Sequence, residues 1–225
     1  IGYSYELLTQ QFQISKSKIQ ITVFAGDKDI PFDDESYNVL RGMGIPEKNI
    51  KQCGRKDNFW GPTGDQGPCG PTVEFHIDNT EIWNLVFNEY YQDASGRLSL
   101  LKQKGVDTGM GLERLAMVLQ QVPSVLDTDL FKPLMEALCP KQGFGQLGRQ
   151  RIIADHMRGA VFLIADGVAP SNLDRGYVLR RIIRRAARHT KPLKLPDNIY
   201  QKLADIIIDI YSSFYPELSQ KRDTI

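Results

Sequence analysis

The pattern of apolar residues changes once along this chain, and the change limits the folds open to it. Up to about residue 120, runs rich in β-branched and aromatic residues predict strands, as in the alternating segment EIWNLVFNEYYQ. After Asp127 the apolar residues recur at helical spacing. Glycines cluster without apolar periodicity in KQGFGQLG. We therefore predict an α+β chain with two domains: an antiparallel sheet flanked by helices in residues 1–140, and an all-helical domain in residues 147–225.

Composition excludes several classes of protein. With 225 residues, 41% hydrophobic and 24% charged, the chain matches a soluble globular protein and contains no apolar run of membrane-spanning length. The N-terminus lacks the zones of a signal peptide, so we expect a cytoplasmic protein with no membrane partner. Cys53, Cys69 and Cys139 lie far apart, which predicts structural thiols and no metal site. Because the first residue is Ile1, we expect the chain to derive from a longer gene product.

Positive charge is concentrated in one part of the chain. The formal net charge is only +1, yet residues 149–191 contain ten basic and three acidic residues. In DRGYVLRRIIRRAARH an apolar stripe, from Val178 to Ala186, lies opposite a basic face. A solvated surface is the simpler interpretation, but no acidic residue follows Asp174 there to pair with the arginines. The pattern therefore favours a polyanion partner.

A second candidate site lies in VDTGMGLER, where a strand is expected to become a helix. Two glycines at such a junction let a ligand approach the backbone, and Arg114, one turn into the helix, can donate to phosphate. The same residues also fit a structural role, in which the glycines begin a helix and Arg114 is a surface side chain. Asp107, just before it, either binds an ammonium group or holds a turn. These residues alone do not decide between the two interpretations of Arg114 or between the two interpretations of Asp107.

Six segments between Asp57 and His189 narrow the alternatives. They are DNFW, GPTGDQGPCGPTVEFH, EIWNLVFNEYY, VDTGMGLERLAMVLQ, ADHMRGAVFLIADGVAPSN and RGYVLRRIIRRAARH. In this order and at similar spacing they resemble the alanyl-tRNA synthetases, and GMGLER resembles the third signature motif of class II synthetases. The resemblance implies a class II synthetase-type antiparallel sheet, incomplete here, followed by a tRNA-recognition domain.

The resemblance implies roles for individual residues in the activation of alanine by Mg-ATP. Asp107 would bind the α-ammonium of alanine, and Arg114 the ATP phosphate tail; these two are the expected catalytic residues. Glu81 is assigned to ATP or Mg²⁺, and no residue to a metal site of the protein itself. The expected alanine-binding residues are Trp60, Asn84, Val86, Asp107 and Gly109, and the expected ATP-binding residues are Glu81, Gly109, Gly111 and Arg114.

The resemblance also implies contacts with the acceptor stem of tRNA(Ala). Asn172 matches the asparagine that recognises the G·U wobble pair in this family, and an amide suits the shallow minor groove of RNA. Arginines of the basic segment would bind the phosphates. The expected tRNA-binding residues are Asn172, Arg175, Arg181, Arg184, Arg185 and Arg188.

The chain departs from the family pattern in what it leaves out. Residues 1–58 contain no class II motif 1 or motif 2, and we find no ligand cluster of a zinc-containing editing domain. We therefore expect half an adenylation site and no activity from this chain alone. Two hypotheses follow: part of an alanine–tRNA ligase, or a non-catalytic RNA-binding module derived from one. The joint presence of Trp60, Asn84, Asp107 and Arg114 favours the ligase.

Overall fold

A computed structural model describes residues 1–139 and 146–225, which form two compact units. The first unit comprises Ile1–Gln121 and the second Val122–Ile225. The sequence placed the boundary between residues 140 and 147, and 140–145 lie outside the described residues. The division falls earlier because Leu134 and Leu138 share a hydrophobic core with Ile153 of the second unit.

The first unit is built on a six-stranded sheet with strand order β2-β1-β4-β5-β6, and β3 pairs with β4. Three pairings along this order are antiparallel, as is that of β3 with β4. The strands are β1 Ile19–Phe24, β2 Ile50–Cys53, β3 Phe59–Trp60, β4 Gly67–Ile77, β5 Thr80–Gln92 and β6 Leu98–Met110. The helices are α1 Gly2–Glu6, α2 Asp34–Gly42, α3 Arg55–Asn58 and α4 Leu112–Leu119.

One part of the predicted sheet is wrong: β1 and β2 are parallel, with Ile21 opposite Ile50. The chain leaves β1, forms α2 and returns in β2, and a crossover of this kind brings the second strand back in the direction of the first. Asp33 begins α2 by accepting a hydrogen bond from the Ser36 backbone N–H at 3.0 Å. The sheet is therefore mixed and flanked by helices.

The glycine- and proline-rich stretch before β4 is more regular than its composition predicts. Glycine and proline at nearly every second position of residues 58–71 predict an irregular loop, but β4 already begins at Gly67. The pairing of β4 with β5 shifts register between Cys69 and Thr72. At Gly70, inside this irregularity, an added Cβ would overlap the carbonyl oxygen of Phe87. Glycine at this position lets the two backbones approach closely enough to pair.

Alternation along the strands gives the sheet one buried face and one polar face. Val73, Phe75 and Ile77 of β4 are fully buried against helices of the first unit, together with Leu8 and Leu40. The residues between them in β4 are polar and point to the other side. The polar face is therefore the one available to ligands.

The described residues of the second unit form helices and turns. Its helices are α5 Lys132–Ala137, α6 Leu147–Ala165, α7 Asp174–Thr190, α8 Ile199–Tyr211 and α9 Pro216–Gln220. Leu203 and Ile207 of α8 pack with Ile153 and Val161 of α6 in one apolar core. Of the helices in residues 1–139 and 146–225, none has the length and apolar character needed to cross a membrane.

Candidate functional site

Strand register aligns two rows of residues on the polar face of the sheet. Thr22 pairs with Glu74, Glu74 with Asn84, and Asn84 with Gly109. In the next row Thr72 pairs with Val86, and Val86 with Asp107. Directly opposed residues have Cβ atoms roughly 5 Å apart. Four of the residues expected to bind alanine, Asn84, Val86, Asp107 and Gly109, are therefore neighbours on β5 and β6.

A cavity of about 550 Å³ opens on this face. Three predicted residues, Trp60, Glu81 and Asn84, belong to its lining among the described residues. Val86, Asp107, Gly109, Gly111 and Arg114 do not. The structure thus brings Trp60 of β3 together with Glu81 and Asn84 of β5. Asp107 and Gly109 flank this group on the adjacent strand.

The side-chain oxygen of Asn84 is a hydrogen-bond acceptor for which the described residues supply no donor. This Oδ1 atom is buried and has no hydrogen-bond partner within the described part of the chain. The backbone carbonyl of Asn84, in contrast, accepts from Thr108 Oγ1 at 2.9 Å, and Thr108 Oγ1 accepts from Trp83 Nε1 at 2.7 Å. These two bonds hold β5 and β6 together beside the site. An unpaired buried acceptor is costly, and a ligand N–H group would satisfy it.

Asp107 lies next to this acceptor on the exposed edge strand. Its Oδ1 accepts from the Thr108 backbone N–H at 2.8 Å, a local side-chain-to-backbone bond within β6. This bond orients the carboxylate and uses one lone pair of one oxygen, which leaves capacity to accept from an ammonium group. Val86, its partner on β5, is 6% exposed and supplies an apolar wall.

Arg114 and Glu81, both expected to bind ATP, contact each other. Arg114 Nη1 donates to the Glu81 carbonyl oxygen at 2.9 Å and to Glu81 Oε2 at 3.0 Å. The arginine side chain runs back over Gly111, where an ideal Cβ would lie 3.3 Å from Arg114 Cδ. Gly111 therefore makes room for Arg114 itself. The ion pair is half-exposed, so a phosphate group can compete for the guanidinium at low cost.

Sequence reasoning missed the polar residues of β1 and β4 that complete the cavity. Glu74 Oε2 lies 3.4 Å from its donor Thr22 Oγ1 and 3.1 Å from His76 Nε2. Burial raises the pKa of the Cys53 thiol on the same wall, so the thiol stays protonated at neutral pH. The alternation Thr72, Glu74, His76 along β4 was the available signal, and it required knowing which face is solvated.

The basic face predicted in the second unit lies on α7. Tyr177, Arg180, Arg181 and Arg184 line a concavity of about 190 Å³. The apolar stripe is narrower than expected, because Val178 is 51% exposed. The arginines exposed along this part of the chain are Arg175, Arg180, Arg181, Arg184, Arg185 and Arg188.

Asn172 lies exposed in the turn that precedes α7. Ser, Asn and Asp ordinarily cap helices, so Ser171, Asn172 and Asp174 predict a capped helix start, but α7 has no side-chain cap hydrogen bond. Instead, Arg180 Nη1 donates to Asn172 Oδ1. Arg180 was absent from the predicted site. Its spacing of eight residues from Asn172, two helical turns, was the only signal in the sequence.

The far end of α7 carries a second concentration of charge. Arg149 Nη1 donates to His189 Nδ1 at 3.4 Å. Burial, followed by the charge of Arg149 and those of Arg185 and Arg188, lowers the pKa of His189. The imidazole is therefore neutral at neutral pH and accepts from the arginine. The positive charge at this end of α7 is therefore carried by Arg149, Arg185 and Arg188.

The chain belongs to the class II tRNA synthetases, since the family "tRNA synthetases class II (A)" matches residues 1–225, and the mixed sheet flanked by helices is consistent with this class. Curated relatives carry the name alanine–tRNA ligase. That of Borrelia hermsii is 43% identical over 253 residues, covering 100% of this chain and 43% of the relative. The Treponema pallidum enzyme is 41% identical over 254 residues, covering 100% of this chain and 42% of the relative.

A relative from Dictyostelium discoideum, named "Alanine--tRNA ligase, cytoplasmic", is 40% identical over 259 residues and covers 100% of this chain and 27% of the relative. The resemblance to alanyl-tRNA synthetases predicted from the six segments is confirmed. The chain spans less than half the length of these relatives.

Proposed function

We propose that this chain is part of a cytoplasmic alanine–tRNA ligase, whose first unit binds alanine and ATP and whose second unit binds the acceptor stem of tRNA(Ala). The observation that carries the proposal is the strand register, which makes Asn84, Val86, Asp107 and Gly109 neighbours on the polar face of the sheet. A site for a small amino acid needs acceptors for an ammonium group beside an apolar wall, and this face supplies both.

Alanine fits the groups that the face presents. Asp107 and the unpaired Oδ1 of Asn84 accept from its α-ammonium. The buried side chain of Val86 packs against its methyl group, with Trp60 as a further wall of the pocket. Gly109 leaves space open, since nothing lies within 4 Å of a Cβ added there.

ATP binds beside alanine, with its phosphates toward Arg114. The guanidinium exchanges Glu81 for phosphate oxygens, and the released Glu81 faces the Mg²⁺ that accompanies ATP. Mg²⁺ is usually bound through substrate phosphates and one or two carboxylates, so it would enter with the nucleotide. The alanine carboxylate attacks the α-phosphorus and pyrophosphate leaves. These residues contribute by positioning the reactants and by stabilising the phosphate charge.

Acceptor-stem binding is assigned to the face of α7 and the turn before it. Arg175, Arg181, Arg184, Arg185 and Arg188 are exposed cations that bind the phosphate backbone. Asn172 faces the minor groove, where the amide recognises the edge of a G·U pair. The 3′-terminal hydroxyl of the bound tRNA is the acceptor of the alanyl group in the proposed reaction.

The experiment that tests the proposal is calorimetric titration of the 225-residue chain with a non-hydrolysable alanyl-adenylate analogue. We expect saturable binding that falls at least tenfold in Asp107→Asn, because the substitution removes the charge facing the ammonium group. Asp78→Asn, in the exposed turn between β4 and β5, is the matched control and leaves binding unchanged. Equal binding by Asp107→Asn and the parent chain would contradict the assigned site.

Alanine-dependent ATP–pyrophosphate exchange, with Asp107→Ala as control, measures whether the chain activates alanine by itself. Because residues 1–58 match neither motif 1 nor motif 2, we expect no exchange. Exchange above background that disappears in Asp107→Ala would show a working site in this chain. Failure to bind the analogue, together with binding of an acceptor-stem hairpin, would favour the RNA-binding module instead.

A further inference from the structure

The turn that carries Asn172 is packed tightly against the start of α7. The Ser171 backbone N–H donates to the Gly176 carbonyl oxygen at 3.0 Å. Ser171 Oγ donates to the Leu173 carbonyl oxygen at 2.9 Å and accepts from the Leu173 N–H at 3.3 Å. Gly176 is buried beneath this turn, and a Cβ added there would lie 2.5 Å from the Ala169 carbonyl oxygen. The residues on both sides of Asn172 are therefore held in place.

The side chain of Asn172 is oriented by a different residue, Arg180. Arg180 lies two turns along α7 and donates from Nη1 to Asn172 Oδ1. A guanidinium group has donors and no acceptor, so only the oxygen of the amide can face it. The Nδ2 group, bonded to the same carbon, then points away from Arg180. A planar amide anchored at its oxygen presents donors to whatever approaches from the other side.

We infer that Arg180 is a positioning residue, which orients the amide of Asn172 so that its Nδ2 group faces the bound RNA. The inference rests on the proposed recognition of the acceptor stem by Asn172. It assigns the chemistry of that recognition: Asn172 donates to an acceptor whose position differs between a G·U and a G·C pair, namely the pyrimidine O2, which the wobble geometry displaces. A freely rotating asparagine would present its oxygen equally well, and Arg180 removes that choice.

Fluorescence anisotropy titrations of two RNA hairpins with the 225-residue chain test this inference. Both contain the acceptor stem; one carries a G·U pair at the recognised position and the other a G·C pair. The quantity of interest is the ratio of their dissociation constants. We expect Arg180→Ala to reduce the preference for G·U about fivefold, the effect of losing one hydrogen bond to a charged group at an exposed site. Asn172→Ala should reduce it at least as much, and the double variant no further.

Asn172→Asp and Arg188→Ala separate the proposed role from other contributions. Asn172→Asp keeps an oxygen for Arg180 but has no amide donor, so we expect it to lose the preference as Asn172→Ala does. Arg188→Ala, on the same helix, should weaken both hairpins equally. Arg180→Lys keeps the charge and one donor, and should partly restore the preference. In the free protein, the side-chain amide resonances of Asn172 should shift in Arg180→Ala, which reports the contact directly.

Three results would overturn the inference. If Arg180→Ala weakens both hairpins equally and leaves the Asn172 resonances unchanged, Arg180 binds phosphate only. If Asn172→Asp keeps the preference, the oxygen recognises the pair. In either case Asn172→Ala still loses the preference and the proposed function stands. If the parent chain binds neither hairpin, or binds both equally, the proposed recognition fails and the role of Arg180 fails with it.

Discussion

Gly70 occupies a position where β5 leaves no space for a side chain. An added Cβ would overlap the Phe87 carbonyl oxygen and lie 3.1 Å from the Glu89 nitrogen, both backbone atoms that cannot rotate away. We therefore predict that Gly70→Ala lowers the free energy of unfolding by about 3 kcal/mol or more, through forced separation of β4 and β5. Urea denaturation followed by circular dichroism measures this change.

Gly105→Ala is the matched control for Gly70→Ala. Gly105 lies in β6 of the same sheet, and nothing lies within 4 Å of an added Cβ. Alanine also restricts the unfolded chain more than glycine does, so we expect a change within about 1 kcal/mol, neutral or stabilising. A loss at Gly105 equal to that at Gly70 would show that glycine is needed for backbone flexibility and not for close approach.

The face on which a residue lies could be predicted from strand alternation, whereas a contact with a residue distant in the sequence could not. The spacing of Asn84 and Val86 in β5 placed both on one face, and the register confirms their shared side. The pairing of Arg114 with Glu81 joins residues 33 positions apart. No local pattern specifies such a contact, since it depends on how β5 and α4 pack.

At the scale of elements, an ion pair joins α3 to the turn after β1. Arg55 Nε donates to Asp27 Oδ2, and this hydrogen bond is the main cause that lowers the pKa of Asp27 from 3.8 to about 2. A carboxyl group with a lowered pKa in the folded state stabilises the protein above its ordinary pKa. The stabilisation is lost as the pH falls from about 4 toward 2.

We therefore predict that Asp27→Asn lowers the free energy of unfolding by about 1 kcal/mol at pH 7, a value suited to a partly exposed pair. The difference from the parent chain should be as large at pH 5 and smaller at pH 3. Urea denaturation at the three pH values measures it. Asp29→Asn in the same turn is the control. If the difference between Asp27→Asn and the parent chain does not change with pH, the charge of Asp27 does not contribute to the stability.

The basic face of α7 yields a prediction about salt. If Arg184 and Arg185 each contact one phosphate, each alanine substitution should weaken binding to the G·U and G·C hairpins alike. It should also reduce the slope of log affinity against log salt by about 0.7–0.9. Anisotropy titrations from 50 to 200 mM salt measure the slope. Lys202→Ala, exposed on α8, should change neither quantity. An unchanged slope in Arg184→Ala would remove Arg184 from the interface.

Elements could be predicted from periodicity, but their pairing could not. The helical spacing around Leu179 and Ala186 marked α7, and both residues are buried. The sequence did not predict β2 as a strand, and the crossover through α2 brings it back parallel to β1. The stretch GPCGP looked irregular because glycine and proline weaken strands in general, whereas here Gly70 allows pairing across a bulge.

At the scale of the whole molecule, the change from strands to helices predicted two bodies with a boundary between residues 140 and 147, and the structure divides into compact units at Gln121 and Val122. The segment Lys132–Ala137 is helical and follows the last strand by more than twenty residues, yet its composition does not tell which core it joins. Leu134 is fully buried in the core that contains Ile153 and Leu203. Only the packing of these side chains assigns the segment to the second unit.

Because each unit has its own hydrophobic core and its own candidate site, we predict that the two binding functions can be removed separately. Asp107→Asn should weaken binding of the alanyl-adenylate analogue at least tenfold and leave the affinity for the G·U hairpin within about twofold. Arg184→Ala combined with Arg185→Ala should do the reverse, since the lost cations lie on α7. Calorimetry and anisotropy on the same preparations measure both. Loss of both functions in Asp107→Asn would mean that the Asp107 carboxylate stabilises the fold. A carboxylate that only binds an ammonium group can affect RNA binding through its charge alone.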